Sequence, residues 1–213
     1  MGTARALIFD FNGTLSHDEP LLCAIYQRLF ARHGRPLTEE QYYSRLAGLS
    51  DEAIIGGWLG VDGPLLTSLV AERIESYVAE AATGSTVTEP VRIAVRYAAA
   101  RVPVAIVSGA FRAEIEPVIA AAGIAAELTA IVAADDVARG KPDPEGYLIA
   151  LELLGIDSRE AVALEDTEAG IASAKAAGLH VVAVLGTLPP ERLTQADEHV
   201  AAIDSAMIER LLL

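Results

Sequence analysis

One segment near the start of the sequence combines residue types that could act on phosphorus. Asp10 lies in the segment DFNGT and directly follows the apolar run 6–9. A carboxylate at the end of a buried strand can attack phosphorus and form an aspartyl phosphate. Gly13 permits a tight turn, after which backbone N–H groups such as that of Thr14 can face an anion. Taken alone, the segment fits a hairpin turn equally well, because Asn-Gly between apolar runs is typical of hairpins.

A serine and a glycine after a second apolar run could hold a phosphate. Ser108 and Gly109 follow the run 104–107, and a predicted helix begins near Arg112. A hydroxyl and backbone donors beside a helix N-terminus are a suitable seat for phosphate. Taken alone, Ser108 is more simply interpreted as the cap of that helix.

The lysine in the segment GKPDP is a candidate for balancing negative charge. Two prolines stiffen the loop that carries Lys141, so the ammonium would be delivered in an ordered position. It could neutralise both Asp10 and a bound phosphate. Most lysines are solvated surface charges, but Lys141 and Lys175 are the only lysines in the sequence.

A fourth segment, LEDTEAGI, presents two adjacent carboxylates after another apolar run. Glu165 and Asp166 would repel each other and Asp10 at a shared site unless a cation lay between them. Mg²⁺ suits such a site, because it takes one or two carboxylates together with water and substrate phosphate. The alternative for this pair alone is the N-terminal end of a helix starting at Glu168.

These segments form one site only if the strands that precede them lie side by side. Compact apolar runs alternate with longer segments of helical period, which predicts an α/β fold with a parallel sheet. The predicted strands are 6–9, 102–107, 130–133, 161–164 and 180–185. Ligands of such sheets bind beyond the carboxyl ends of the strands, where all four polar segments fall. Together they offer a nucleophile, a phosphate seat, a cation and a metal site, which is what phosphoryl transfer requires.

The region between the first two predicted strands differs from the rest of the chain. It shows helical patterns at 20–33, 38–46, 51–59 and 65–81 and no clear strand. Thr38 and Gln41 have the spacing of a capping box. We therefore predict a core made of residues 1–15 and 85–213, with an all-helical insertion at 16–84.

The sequence resembles the haloacid dehalogenase superfamily, in the branch with a helical cap that includes phosphoglycolate phosphatase and β-phosphoglucomutase. The resemblance covers essentially the whole chain and rests on DFNGT, the strand before Ser108, GKPDPEGY and LEDTEAGI. It implies a Rossmann-like core and a Mg²⁺-dependent phosphatase or phosphomutase acting on a small phosphorylated metabolite. The acidic pair favours phosphate esters over haloacids.

The resemblance also implies roles for individual residues. Asp10 would be the nucleophile, and Ser108 and Lys141 would bind the transferring phosphoryl group. Asp10 and Asp166 would ligate Mg²⁺, with Glu165 assisting directly or through water and the backbone carbonyl of Asn12 as a further ligand. Relatives place a glycine-containing loop over the substrate, which makes Gly48 and the neighbouring Arg45 candidates for substrate contact.

The sequence departs from the superfamily at Asn12, where most of its phosphatases carry an aspartate that protonates the leaving group. An amide cannot transfer a proton, and losing general acid–base help costs about 10²–10⁴-fold in rate. We therefore expect a phosphatase that is slow or restricted to good leaving groups. The alternatives are a phosphometabolite-binding or regulatory protein, a phosphomutase, or deamidation of Asn12 before Gly13, which would restore the acid. Residues 16–84 contain no lysine, which excludes the Schiff-base chemistry of the phosphonate-cleaving branch.

Composition limits the classes of partner. The 213 residues include 30 acidic and 16 basic side chains, for a formal net charge of −14. Nucleic acids and anionic membranes require basic surfaces, so we expect neither as a partner. The single cysteine, Cys23, cannot form an internal disulfide, which favours the cytoplasm. Composition does not decide between a monomer and a homodimer.

Overall fold

The computed structural model describes residues 3–213, so the first two residues of the predicted core lie outside the described chain. The described residues form one six-stranded parallel sheet with the order β3-β2-β1-β4-β5-β6. The strands are β1 (Ala6–Phe9), β2 (Val104–Val107), β3 (Ala130–Val132), β4 (Ala161–Glu165), β5 (His180–Val184) and β6 (Glu198–Val200). This topology confirms the predicted Rossmann-like α/β class.

The central strands form because their side chains are apolar in succession rather than in alternation. Every residue of β1, β2 and β4 is buried, as expected for a parallel sheet that is covered on both faces. The register places Phe9 of β1 opposite Ile106 of β2 and Leu164 of β4. The last residues of these three strands therefore lie at one edge of the sheet.

Besides shifts of one residue at the ends of β3, β4 and β5, two details of the sheet differ from the prediction. β2 begins at Val104 rather than at residue 102, because Pro103 has no N–H for the ladder and only accepts a bond from Leu7, at 3.1 Å. The edge strand β6 was not predicted, since Glu198-His199-Val200 is too short and too polar to show a strand pattern.

Nine α-helices lie within the described residues. They are α1 (Glu19–Arg32), α2 (Glu39–Arg45), α3 (Asp51–Leu59), α4 (Gly63–Ala81), α5 (Glu89–Ala99), α6 (Arg112–Ala121), α7 (Glu145–Leu154), α8 (Glu168–Ala176) and α9 (Ser205–Leu211). The predicted capping box before α2 is confirmed, because Gln41 N donates to Thr38 Oγ1 and Thr38 N donates to Gln41 Oε1. α7 begins at Glu145, directly after Pro144, and Asp143 Oδ1 accepts from Glu145 N at 3.0 Å.

Helices α1 to α4 all fall between β1 and β2, and we call these four helices the helical insertion. α4 contacts both α1 and α3, and it also packs against α6, which follows β2. α5 packs on α9 and β2, whereas α7 and α8 contact each other and the sheet. The insertion is thereby placed over the carboxyl ends of β1 and β2. Along residues 3–213, no helix has both the length and the apolar composition that crossing a bilayer demands.

Candidate active site

The carboxyl ends of three neighbouring strands place polar side chains at one edge of the sheet. Asp10 directly follows β1, Ser108 follows β2, and Glu165 is the last residue of β4. A cavity of about 620 Å³ opens above this edge and is lined from the opposite side by residues of the helical insertion. The sheet therefore brings together segments that lie up to 155 positions apart in the sequence, and the insertion encloses them.

Lys141 lies between two of these carboxylates. Its Nζ donates to Asp10 Oδ1 at 2.6 Å, to Glu165 Oε1 at 2.5 Å and to the backbone oxygen of Val107 at 2.9 Å. Although burial alone lowers the pKa of Lys141, the two carboxylates raise it above its ordinary value. Lys141 is therefore a fixed positive charge beside Asp10, reached through a loop whose Lys141-Pro142 peptide is cis.

The carboxyl group of Asp10 holds its proton more tightly than an ordinary aspartate does. Burial raises the pKa of its carboxyl group to about 7, against the lowering effect of Lys141 and with a further rise from Glu165. A carboxylate whose charge is poorly solvated is stabilised by any additional cation that reaches it.

Glu165 is fixed from several sides below the cavity. Besides Lys141, the hydroxyl of Tyr147 donates to its Oε1 at 2.8 Å, and the Thr167 hydroxyl donates to its Oε2 at 3.3 Å. Gly170 in α8 packs so closely on this carboxylate that a Cβ would collide with it. The side chain is completely buried, so its orientation is determined by the fold.

The acidic cluster of Asp10, Glu165 and Asp166 could hold a cation. One carboxylate oxygen from each residue lies within 4.8 Å of the others. Asp166 Oδ1 accepts from the Thr14 hydroxyl at 3.2 Å, but its buried Oδ2 has no hydrogen-bond partner. Burial raises the pKa of Asp166, and repulsion from Asp10 raises it further. An unpartnered buried oxygen among three carboxylates is the chemistry that a hard divalent cation such as Mg²⁺ satisfies.

Gly13 allows the turn after Asp10 to pass directly over this cluster. Its φ of +74° is unfavourable for residues with a side chain, and a Cβ there would collide with the Asp166 carboxylate. The Asn-Gly pair is therefore part of the approach to the site, and the hairpin interpretation is wrong because β1 continues to a parallel neighbour.

Asn12 faces the cavity, but its amide is bonded to a residue behind it. Asn12 Nδ2 donates to Asp18 Oδ2 at 2.9 Å, and Gly13 N donates to Asp18 Oδ1 at 3.2 Å. The hydroxyl of Tyr77 from α4 donates to the same Asp18 carboxyl. Asp18 is completely buried, and this burial raises its pKa.

The structure places the remaining predicted residues in different surroundings. Ser108, Gly109 and Gly48 line the cavity, and Ser108 Oγ accepts from the backbone N–H of Ala110 at 3.0 Å. Thr14 is buried beneath the cavity, where its hydroxyl is bonded to Asp166.

The structure does not bring Arg45 to the cavity. It lies in a separate groove with Arg35 and Trp58, because Tyr42 and Leu46 occupy the buried positions of this helical turn and leave Arg45 exposed.

Several cavity residues were not predicted as parts of one site. Tyr42 lines the cavity, and its hydroxyl donates to Glu19 Oε2 at 2.8 Å. Arg73 of α4 also lines the cavity and is 5% exposed. Beside the cavity, Tyr147 donates to Glu165 and lies in the segment GKPDPEGY, which is a sequence signal, whereas Tyr77, which donates to Asp18, has none.

Comparison with known proteins agrees with this geometry. The family model described as haloacid dehalogenase-like hydrolase matches residues 7–184. The chain is 32% identical over 195 residues to validoxylamine A 7'-phosphate phosphatase from Streptomyces hygroscopicus subsp. limoneus, with 91% of each chain covered. It is 34% identical over 211 residues to protein CbbY from Rhodobacter capsulatus, covering 93% of this chain and 90% of that protein.

A solved structure extends the similarity to the whole fold. The crystal structure of CbbY from Rhodobacter sphaeroides in complex with phosphate superposes with a TM-score of 0.82 at 26% identity, covering 94% of this chain and 95% of the other. A parallel α/β sheet with an acidic cluster and a lysine at its carboxyl edge defines the class of site. The chain belongs to the haloacid dehalogenase-like hydrolases.

Proposed function

We propose that this chain is a Mg²⁺-dependent phosphatase that hydrolyses phosphate monoesters of small sugar-like metabolites through an aspartyl phosphate at Asp10. The observation that carries the proposal is the contact of Asp10 with Lys141 at 2.6 Å, at the base of a cavity and beside an acidic cluster. Two findings support it: the family is one of hydrolases, and similar proteins are named validoxylamine A 7'-phosphate phosphatase and phosphorylated carbohydrates phosphatase.

The side chains divide the reaction between them. A carboxylate oxygen of Asp10 attacks phosphorus, the ester oxygen leaves with the rest of the substrate, and water then releases phosphate from Asp10. Lys141 offsets the negative charge of the phosphoryl group, and Ser108 and the backbone of Gly109 donate to its oxygens. Positioning and charge neutralisation are the main requirements of such a transfer.

Mg²⁺ would be held by Asp10, Asp166 and the backbone carbonyl of Asn12, with Glu165 assisting directly or through water. When bound, it neutralises part of the charge on the phosphate and on the acidic cluster.

Asn12 limits the leaving groups that this site expels. Its amide is bonded to Asp18 and has no proton to give, so the departing alkoxide receives no general acid from position 12. Acyl phosphates and aryl phosphates leave as weak bases and need little help. Sugar phosphates leave as strongly basic alkoxides, so we expect them to react slowly.

The helical insertion 16–84 acts in this proposal as a cap on a core made of residues 1–15 and 85–213. Its support is the cavity itself, whose wall includes Glu19, Tyr42 and Gly48 from the insertion. A closed cap excludes water from the phosphoryl transfer and selects the leaving group. The cytoplasmic location stays a prediction, and monomer and homodimer stay the two alternatives for the oligomeric state.

Phosphate release tests the proposal. Acetyl phosphate, p-nitrophenyl phosphate and glucose 6-phosphate are incubated with the protein, with and without Mg²⁺. Asp10→Asn is the control, because it keeps the shape of the nucleophile without its charge. We expect Mg²⁺-dependent release that is faster from the first two compounds, and no release by the control. Equal, rapid release from all three would contradict the leaving-group argument, and no release from any would contradict the phosphatase.

A binding or regulatory protein is the second candidate, and the bond between Asn12 and Asp18 favours it, because position 12 cannot supply a proton. It predicts saturable binding of a sugar phosphate with no phosphate released at high protein concentration. A phosphomutase would return the phosphoryl group to a second hydroxyl, so analysis of the sugar product distinguishes it from a phosphatase.

A further inference from the structure

The charged side chains that line the cavity limit which leaving groups, the part of the substrate that is not transferred, can bind there. Three cationic side chains of the described residues line it, namely Lys141, Arg73 and Arg139. A second anionic group on a substrate would need one of them. Each of the three is already paired with two carboxylates.

Arg73 is held inside the protein between the insertion and the core. It forms ion pairs with Asp51 of α3 and with Glu114 of α6, and Glu114 is completely buried. If Arg73 turned to a substrate anion, these two carboxylates would lose their partner, and buried unpaired charges are strongly unfavourable. Arg73 is therefore committed to the fold rather than available to a ligand.

The other two cations lie on the side of the cavity that belongs to the core. Lys141 contacts Asp10 and Glu165 and serves the transferred phosphoryl group in the proposed reaction. Arg139 is largely exposed at the rim and lies 3.3 Å from both Asp143 and Glu145. Its charge is balanced by its own neighbours and screened by solvent.

Two further carboxyl groups line the cavity without a cationic partner among the described residues. Glu19 is 9% exposed and accepts a hydrogen bond from the Tyr42 hydroxyl, and Glu52 is exposed. Burial raises the pKa of Glu19 to about 7, with Tyr42 lowering it and Asp18 raising it. The side of the cavity that belongs to the insertion therefore offers hydrogen-bond acceptors and no uncommitted positive charge.

We propose that this cavity selects phosphate monoesters whose remaining part carries no second anion, and that Glu19 accepts a hydrogen bond from a hydroxyl or an ammonium group of that part. The inference rests on the proposed function and narrows its substrate class to uncharged polyhydroxylated or amine-bearing leaving groups. A bisphosphate that extends toward the insertion would place its second charge against Glu19 and Glu52, and that side of the cavity has no uncommitted cation to receive it.

Three compounds that share one ring and one phosphate test the charge preference. Glucose 6-phosphate, glucosamine 6-phosphate and glucose 1,6-bisphosphate are titrated into the Asp10→Asn variant with Mg²⁺, and the dissociation constants are measured by calorimetry. We expect the bisphosphate to bind at least about tenfold more weakly than glucose 6-phosphate, and glucosamine 6-phosphate to bind at least as tightly as glucose 6-phosphate. Equal or tighter binding of the bisphosphate would overturn the inference, as would an absence of binding by all three.

Two variants test whether Glu19 causes the charge preference. Glu19→Gln should bring the affinities for glucosamine 6-phosphate and glucose 6-phosphate to within about twofold of each other, because the negative charge is removed and the shape is kept. Glu40→Gln, exposed on α2 and outside the cavity, is the matched control and should leave all three dissociation constants unchanged. A preference that survives Glu19→Gln unchanged would contradict the role of Glu19. Phosphate release from acetyl phosphate by the wild type is measured separately, so failure of the phosphatase is distinguished from failure of the charge preference.

Discussion

Replacing Asn12 by aspartate tests both the missing proton and the surroundings that the structure gives position 12. General acid–base help is worth about 10²–10⁴ in rate, which corresponds to about 3–5 kcal/mol of activation free energy. We expect Asn12→Asp to increase kcat on glucose 6-phosphate by a factor in this range. Acetyl phosphate, whose leaving group needs little protonation, should gain less than about tenfold.

The neighbouring carboxyl of Asp18 decides which protonation state the variant has. The Asn12 nitrogen that would become oxygen lies 2.9 Å from Asp18 Oδ2. Two negative charges at that separation repel by about 6 kcal/mol at an effective dielectric constant of about 20. The pair therefore retains one proton at neutral pH, and that proton is available to the leaving group.

The same contact makes the variant less stable in alkaline solution. Once the shared proton is lost, the half-buried carboxylate at position 12 faces the buried carboxylate of Asp18, so the gain in rate should disappear as the pH rises. Combining Asn12→Asp with Asp18→Asn restores the hydrogen bond with donor and acceptor exchanged. This double variant should recover most of the lost melting temperature.

Phosphate release from both substrates is the assay, with Asn12→Ala as the control that removes the amide without adding an acid. Intact mass of the wild type checks that Asn12 has not deamidated during storage. The reasoning is refuted if a folded Asn12→Asp variant, with the wild-type response of its melting temperature to Mg²⁺, shows no gain on glucose 6-phosphate. It is also refuted if Asn12→Ala gains as much.

Three further predictions follow from the buried charges. Lys141→Met should lower kcat on acetyl phosphate by about 10²–10³, the usual effect of removing a donor to a developing charge, and phosphate release measures it. Glu114→Gln should lower the free energy of unfolding by about 3–5 kcal/mol, because Arg73 loses a buried partner. Urea denaturation measures this change. The double variant with Arg73→Met should be clearly less destabilised than the sum of the two single variants. Burial raises the pKa of Glu19 from 4.5 to about 7, so the folded state holds this proton more tightly than the unfolded state does. The contribution of Glu19 to stability is therefore complete below about pH 4.5 and is lost as the pH rises through about 7. This difference corresponds to about 3 kcal/mol, so Glu19→Gln should lose about that much less stability than the wild type between pH 4.5 and 8 in urea denaturation.

Each of these outcomes can fail in a recognisable way. Wild-type kcat in Lys141→Met would remove Lys141 from the reaction. Strictly additive effects of the Glu114 and Arg73 variants would mean that the two side chains are not coupled. Parallel pH–stability curves for the wild type and Glu19→Gln would mean that Glu19 titrates normally.

The apolar runs that build the sheet could be found in the sequence because a buried parallel strand needs successive apolar residues. The segments that end those runs carry Asp10, Ser108 and the acidic pair, so their convergence follows from the parallel topology. The edge strand β6 could not be found in this way, since it is held by its neighbour β5 rather than by any pattern of its own.

The sequence by itself therefore determined the fold class, the family and the residues at the strand ends, because strand burial and strand order together bring those residues to one edge. Only the tertiary structure decided which charges remain free. Arg73 and Arg45 are both arginines on insertion helices, yet one is buried between two carboxylates beside the cavity and the other is exposed in a separate groove. The surroundings of the Asn12–Asp18 contact were likewise decided by packing, because the docking of α4 brings the Tyr77 hydroxyl to the Asp18 carboxyl group from 59 positions away.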